Sequence, residues 1–235
     1  MHRLRFTLLV LALATFVIAC WLTGCGTSGS VPSTPTSAAA AAPVPLANGS
    51  KAVAPAQSMT APPKPADPIV VLHTTEGDIQ LQLFAEKAPQ TVNNFLSNYA
   101  QQGFYDDTIF HHVEAGSMLI AGGFSSGFEP KPLRTPIYNE SRNGLSNHRG
   151  AVAMIRESDS PHSATSQFFI NLADNPDLDF KAGEVEDVFG YCVFGEVVAG
   201  LDVVERIAQL PTAAQGEFSK VPSPVVAIRS VERLR

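Results

Sequence analysis

Apolar and polar positions divide this chain into three regimes. An uncharged, mostly apolar run extends from Phe6 to Leu22, a stretch from Gly26 to Pro68 carries no periodic pattern, and short β-branched or alternating runs recur from Ile69 to the C-terminus. Ile69 to Thr74 is apolar and β-branched, Glu76-Gly77-Asp78 reads as a turn, and Ile79-Gln80-Leu81-Gln82-Leu83 alternates with period two. This predicts a hairpin whose second strand buries one face. Pro89 opens a segment in which Val92, Phe95, Leu96 and Tyr99 recur at helical spacing and Gly103 supplies the stop, so a helix is expected over 89–102. Further strands are predicted over 108–113, 118–121, 151–155, 167–171 and 191–197, and a second helix over 201–209. A last strand over 224–231 can pair with the first and remove an exposed edge. Many short strands with few helices predict a mainly β fold, a closed or nearly closed antiparallel barrel.

Composition then changes how the first two regimes are read. Arg3 and Arg5 precede the apolar run, the layout of an export signal. Leu22-Thr23-Gly24-Cys25 follows it and resembles the lipobox of bacterial lipoproteins, in which the cysteine is lipidated and becomes the mature N-terminus. The alternative is an uncleaved signal anchor, since a run of this length nearly spans a bilayer. Residues 1–24 are therefore read as a lipoprotein signal peptide, 25–68 as the lipidated Cys25 with an Ala/Pro/Ser-rich tether, and 69–235 as one globular domain. Nine of the chain's 18 prolines lie between Gly26 and Pro68, with Lys51, Lys64 and Asp67 as the only charges, a composition that favours a semi-extended linker over a core. The expected location is the cell envelope on the periplasmic side. Gly26 after the lipobox cysteine, in place of an aspartate, gives the outer membrane a modest preference.

Cys192 is then the one cysteine of the domain, and its setting, Tyr191-Cys192-Val193-Phe194, predicts a buried, inert thiol. Removing Arg3 and Arg5 with the signal leaves 14 basic against 22 acidic residues, so the basic stripe of a nucleic-acid partner is missing. The sequence has no Gly-x-Ser-x-Gly elbow, phosphate loop or His-Glu-x-x-His. His111-His112 looks metal-like, but adjacent strand residues are expected to face opposite ways and so not to share one ion. No metal and no cofactor is expected.

Three blocks carry a resemblance that spans almost all of residues 69–235. They are Gly103-Phe104-Tyr105-Asp106-Asp107-Thr108-Ile109-Phe110-His111, Ser163-Ala164-Thr165-Ser166-Gln167-Phe168-Phe169-Ile170-Asn171, and Val188-Phe189-Gly190-Tyr191-Cys192-Val193-Phe194-Gly195-Glu196-Val197. In order and content they resemble the cyclophilins, peptidyl-prolyl cis-trans isomerases, and the Gly-Tyr of the third block is similar to the bacterial periplasmic branch. The resemblance implies an eight-stranded antiparallel barrel capped by two helices, a monomer acting on proline-containing polypeptides, and an apolar pocket formed by Met118, Phe169 and Leu178. It places His111 and Gln167 beside the bound peptide. Rotation about an X–Pro bond faces a barrier of about 20 kcal/mol and needs no nucleophile. A dry pocket for the ring and a donor aimed at the substrate are enough.

The departures fall in the site itself. The family's donor is an arginine one residue after the Phe-His pair, and an ungapped alignment from Phe110 to Gly123 puts His112 there. It also puts Ser117 where a pocket phenylalanine is usual, Ala115 where proline is usual, and Ile120 where a substrate-binding glutamine belongs. Ile155-Arg156-Glu157 is bulkier than the segment it replaces. Two functions are expected from this pattern. One is an isomerase assisting exported proteins with reduced or retuned activity; the other is a non-catalytic, proline-peptide-binding or chaperone module.

Overall fold

Residues 67–183 and 188–235 are described by a computed structural model; the segments expected to be signal peptide and tether, with Cys25, lie outside the described residues up to residue 66. β1 (Ile69–Thr74) and β2 (Gly77–Leu83) pair as the predicted hairpin, with Ile79, Leu81 and Leu83 fully buried on one face of β2. Gly77 turns the chain at φ +130°, where a side chain is strained, and the Thr74 hydroxyl closes the turn by donating to Gly77 O at 2.6 Å.

The helical segment differs from a uniform helix. α1 (Pro89–Asn93) continues as a wider π-helical turn, Asn94–Tyr99, and a tight 3-10 turn, Ala100–Gln102, before Gly103 ends it at φ +64°. The wide turn lets Asn94, Phe95, Leu96 and Tyr99 all be buried, and Asn94 Nδ2 donates to Thr165 O at 2.7 Å. Glu140 serves the start of α1, accepting from the amides of Gln90 and Thr91 at 3.1 and 2.8 Å.

β3 (Thr108–Glu114), β4 (Met118–Ser125), β5 (Ala151–Met154), β6 (Phe168–Asn171) and β7 (Val193–Ala199) follow, and α2 (Leu201–Gln209) packs Val203, Val204 and Ile207 inward. The segment after α2 holds an element that the pattern did not reveal, a hairpin of β8 (Thr212–Gln215) and β9 (Phe218–Pro222). Every residue of β8 is exposed, so it lacks the apolar contrast that marks a strand. β10 (Ala227–Arg233) starts three residues later than expected and pairs with β1. Eight strands close as β1-β10-β3-β4-β6-β5-β7-β2, each antiparallel to its neighbours, which is the predicted barrel.

The interior is aromatic. Phe95 lies 5.1 Å from Tyr105, 5.8 Å from Phe168 and 5.4 Å from Phe194, ring centre to ring centre. Burial pushes the Tyr105 phenol well above its usual range, so it stays a donor, to Ser166 O at 2.8 Å.

Candidate functional site

A bulge in β3 decides which side chains face outward. Phe110 pairs with Ala121 and His112 with Ile120, so β3 spends one residue more than β4 over the same step. Phe110 and Val113 both belong to the interior core, which leaves His111 and His112 together on the outer surface. The expectation that these two histidines face opposite ways is corrected here: the extra residue interrupts the alternation. Among the described residues no group of three His, Cys, Asp or Glu is placed to hold a metal ion.

From His112 a row of outward side chains crosses the sheet by register: His112 opposite Ile120, Ile120 opposite Phe169, Phe169 opposite Ala153, and Ala153 opposite Val193. Phe169, Ala151, Ala153 and Val193 form the floor of a second apolar cluster, separate from the core. Met118, Ile120, Leu145, Ile155, Leu178 and Tyr191 pack on it, partly exposed. Phe168, one residue earlier, belongs to the interior. The small side chains Ala151 and Ala153 make room for the Phe169 ring, and Tyr191 closes on it edge to face at 5.6 Å. Phe169 is 0% exposed, so the cluster's outer surface is made by the side chains above it.

Leu178 comes from a short 3-10 turn, Pro176–Leu178, tied down on both sides. Tyr191 N donates to Leu178 O at 2.8 Å, and the Asn147 amide and side chain both donate to Asp179 Oδ1, at 2.6 and 2.9 Å. Ser117 sits half-buried in the β3–β4 turn, where its N donates to Glu114 O and its O accepts from Leu172 N at 2.8 Å. Gln167 lies flat across Gly123; a Cβ there would meet Gln167 Cδ at 2.7 Å, so that glycine makes the arrangement possible.

Polar groups around the cluster divide into free and committed. Arg156 stacks over the Tyr191 ring at 4.7 Å, yet its guanidinium donates to the carbonyls of Gly190, Phe189, Glu157 and Ser158 and so acts as a brace for the loop. His112 is part-exposed, with Nε2 3.7 Å from Glu114 Oε2. Lys220 of β9 pairs with the same oxygen, and Lys220 first, then His112, hold the Glu114 carboxyl below its usual range. His111 is set apart from the cluster. It is wedged between Phe124 and Phe218, ring centres at 4.9 and 5.6 Å, its Nδ1 is buried without a partner, and burial pushes its titration down to about 4. It is a neutral packing group at neutral pH.

Of the residues singled out from sequence, Met118, Ile120, Phe169 and Leu178 come together in the cluster, with His112 and Ser117 on its edge. Gln167 borders both the cluster and an adjoining recess of about 520 Å³, lined by Leu133, Arg134, Ile155, Arg156, His162 and Gln167 among others. Sequence reasoning missed Glu114, Lys220 and Arg134. An acid two residues after His112 was the available signal for Glu114, because past the bulge positions two apart on a strand share a face. Cys192 is buried, and burial pushes its thiol up to about 11.

Residues 69–233 match the family model described as cyclophilin type peptidyl-prolyl cis-trans isomerase/CLD. Peptidyl-prolyl cis-trans isomerase B of Escherichia coli (strain K12) is 50% identical over 163 residues, covering 69% of this chain and 98% of the relative. Peptidyl-prolyl cis-trans isomerase A of Dickeya dadantii (strain 3937) is 45% identical over 166 residues, 71% of this chain and 84% of the relative. A crystal structure of a cyclophilin type peptidyl-prolyl cis-trans isomerase from Cryptosporidium parvum shares the fold, with a TM-score of 0.58 at 23% identity over 72% of this chain and 98% of that one.

Proposed function

The chain belongs to the cyclophilin-type peptidyl-prolyl cis-trans isomerase family, and we propose that it turns over X–Pro bonds in exported polypeptides more slowly than family members that keep the arginine donor. The observation that carries this reading is the pairing of His112 with Ile120 at the rim of the outer apolar cluster, while Arg156, the guanidinium stacked on that cluster, is spent on four carbonyls.

The mechanism follows from what rotation requires. Met118, Ile120, Ile155 and Leu178 offer the apolar surface against which a proline ring sheds water, and contact of that size is worth roughly 1.5 to 3 kcal/mol. Gln167 and the recess beside it take the residues that precede the proline. The prolyl nitrogen becomes a better acceptor as the peptide bond twists out of resonance, so a donor placed there stabilises the twisted state more than the ground state. His112 fills that role with fewer N–H groups than a guanidinium offers. Loss of one preorganised donor typically costs about 10² to 10³ in rate.

The N-terminal segment supports an anchored protein of the cell envelope. Lipid on Cys25 holds the domain at a membrane, and the tether of residues 26–68 gives it reach, roughly 40 Å as a random coil. Clients are then unfolded, exported chains containing proline.

One observation favours the second reading, a holder of proline-containing segments without turnover: the Phe169 ring is wholly covered, so a proline ring meets it only if Ile120, Ile155 or Leu178 moves aside. An isomerase assay of the mature chain on Ala-Pro peptides, beside the E. coli relative, separates the two. A rate about 10²-fold below that relative supports the proposal; an equal rate overturns the loss of donor strength, and no turnover with retained binding of unfolded clients selects the holder. Cys25→Ser should move the processed protein into the soluble fraction, and persistent sedimentation with membranes overturns the anchor.

A further inference from the structure

Glu114 and Lys220 form, with His112, a group of charged and titratable side chains at the rim of the cluster. His112 and Glu114 lie two apart on β3, beyond the bulge, and so project from the same face, opposite Ile120 and Met118 of β4. Lys220 arrives from β9, on the hairpin outside the barrel, and pairs with the Glu114 oxygen that stands 3.7 Å from His112 Nε2. That spacing is within ion-pair range and longer than a hydrogen bond, as catalytic contacts often are before substrate closes over them. His112 Nδ1 has no hydrogen-bond partner among the described residues. Beside the ring stand Glu114 and His111 from β3 and Ile120 from β4, with Lys220 reaching Glu114 from β9. Glu114 remains ionised well into the acid range, held there by Lys220, and His111 stays neutral down to about pH 4.

We propose that Glu114, anchored by Lys220, is a positioning residue that holds the Nε2–H side of His112 and turns Nδ1 toward the substrate. The inference rests on the isomerase reading above. A neutral imidazole carries one N–H, and with that hydrogen on Nε2 and directed to the carboxylate, Nδ1 is an acceptor with nothing to give. Only the imidazolium carries an Nδ1–H for the prolyl nitrogen. The donor form of His112 is thus the ring with both nitrogens protonated, Glu114 taking the Nε2–H, and turnover is expected to rise toward acid pH. A guanidinium at this position would show no such dependence, because it stays charged throughout.

The test is the rate of the mature chain on an Ala-Pro peptide from pH 8.5 to 5.5, for wild type, Glu114→Gln, Glu114→Asp and Lys220→Met, together with ¹⁵N spectra of the His112 ring. The wild-type rate should be higher at pH 5.5 than at pH 8.5. At pH 5.5 Glu114→Gln should lower kcat about tenfold with KM within about twofold, since the interaction is made with the rotating bond rather than in binding. It should also weaken the pH dependence. Glu114→Asp should rescue part of the loss, and Lys220→Met should reproduce it in weaker form. The ring spectra should show the Nε2–H tautomer in wild type and a mixture in Glu114→Gln. Unchanged kcat and pH profile in Glu114→Gln, or an Nδ1–H tautomer in wild type, overturns the proposal. Should wild type show no turnover at any pH, the isomerase reading fails on its own, and the tautomer alone decides whether Glu114 positions the ring.

Discussion

Phe168 and Phe169 are neighbours on one strand, both 0% exposed, and they belong to different regions of the molecule. Phe168 meets Phe95 and Tyr105 edge to face at 5.8 and 5.7 Å, inside a barrel whose walls come from eight strands. Phe169 rests on two alanines and a valine and is roofed by one layer of side chains that are themselves partly exposed. Equal burial therefore conceals unequal confinement. The interior ring is locked by aromatic neighbours on several sides, whereas the outer ring lies under a single layer of partly exposed side chains. This asymmetry explains how Ser117, Ile120 and Ile155 can stand at the site's rim while the barrel stays closed.

The comparison breaks most clearly in stability. Phe168→Ala should cost about 3–5 kcal/mol, the usual range for a buried ring whose cavity cannot collapse. Phe169→Ala should cost roughly 2–3 kcal/mol, because Ile120, Leu178 and Tyr191 can settle into the gap. Denaturant melts of both variants check this, and equal losses would mean that the outer layer is as rigid as the core.

Acid sharpens the comparison through His111, which is buried beneath the hairpin and away from the cluster. Unfolded, its ring takes up a proton near pH 6.5; folded, it does so only at about 4. The folded state binds fewer protons between those values, so stability is intact above pH 6.5 and falls as pH drops toward 4, by roughly 3 kcal/mol. His111→Phe should remove that slope in melts recorded across this window, and a slope that survives the substitution would assign it to other groups.

Activity should respond most to changes confined to the outer layer. His112→Arg alone should restore little turnover, while His112→Arg, Ser117→Phe and Ile120→Gln together should restore about 10²-fold, since residues that share one substrate act as a unit. A large gain from the single change would show that the pocket is already adequate. The smallest effect expected is that of Ile120→Gln on stability, below about 1 kcal/mol, because its side chain is only partly covered.

The barrel strands were readable wherever one face is polar, as in β2, where Asp78, Gln80 and Gln82 alternate with buried residues. The bulge was not, because Thr108 through His111 are buried without a break and offer no polar contrast to mark an inserted residue. β8 failed for the opposite reason, being exposed throughout. At the site, Met118, Phe169 and Leu178 were reached through motif resemblance, with no help from periodicity. The Glu114–Lys220 pair joins residues 106 positions apart, a distance across which no local pattern carries information.

Closure of the barrel by its first and last strands has a temporal consequence. Val70 pairs with Arg233, and Leu234 N donates to Ile69 O at 2.8 Å, so the seam joins the opening of the domain to its final residues. Synthesis, which feeds the chain from its N-terminus, leaves β1 with β2 on one side and an unpaired edge on the other until residue 233 has emerged. Partial chains can build the hairpin and the helix but cannot complete the barrel, and the cost of closing so long a loop is met late. This protein spends its own maturation as an unsealed sheet, exposed to pairing with other strands, the same hazard that proline isomerisation prolongs in other folding chains.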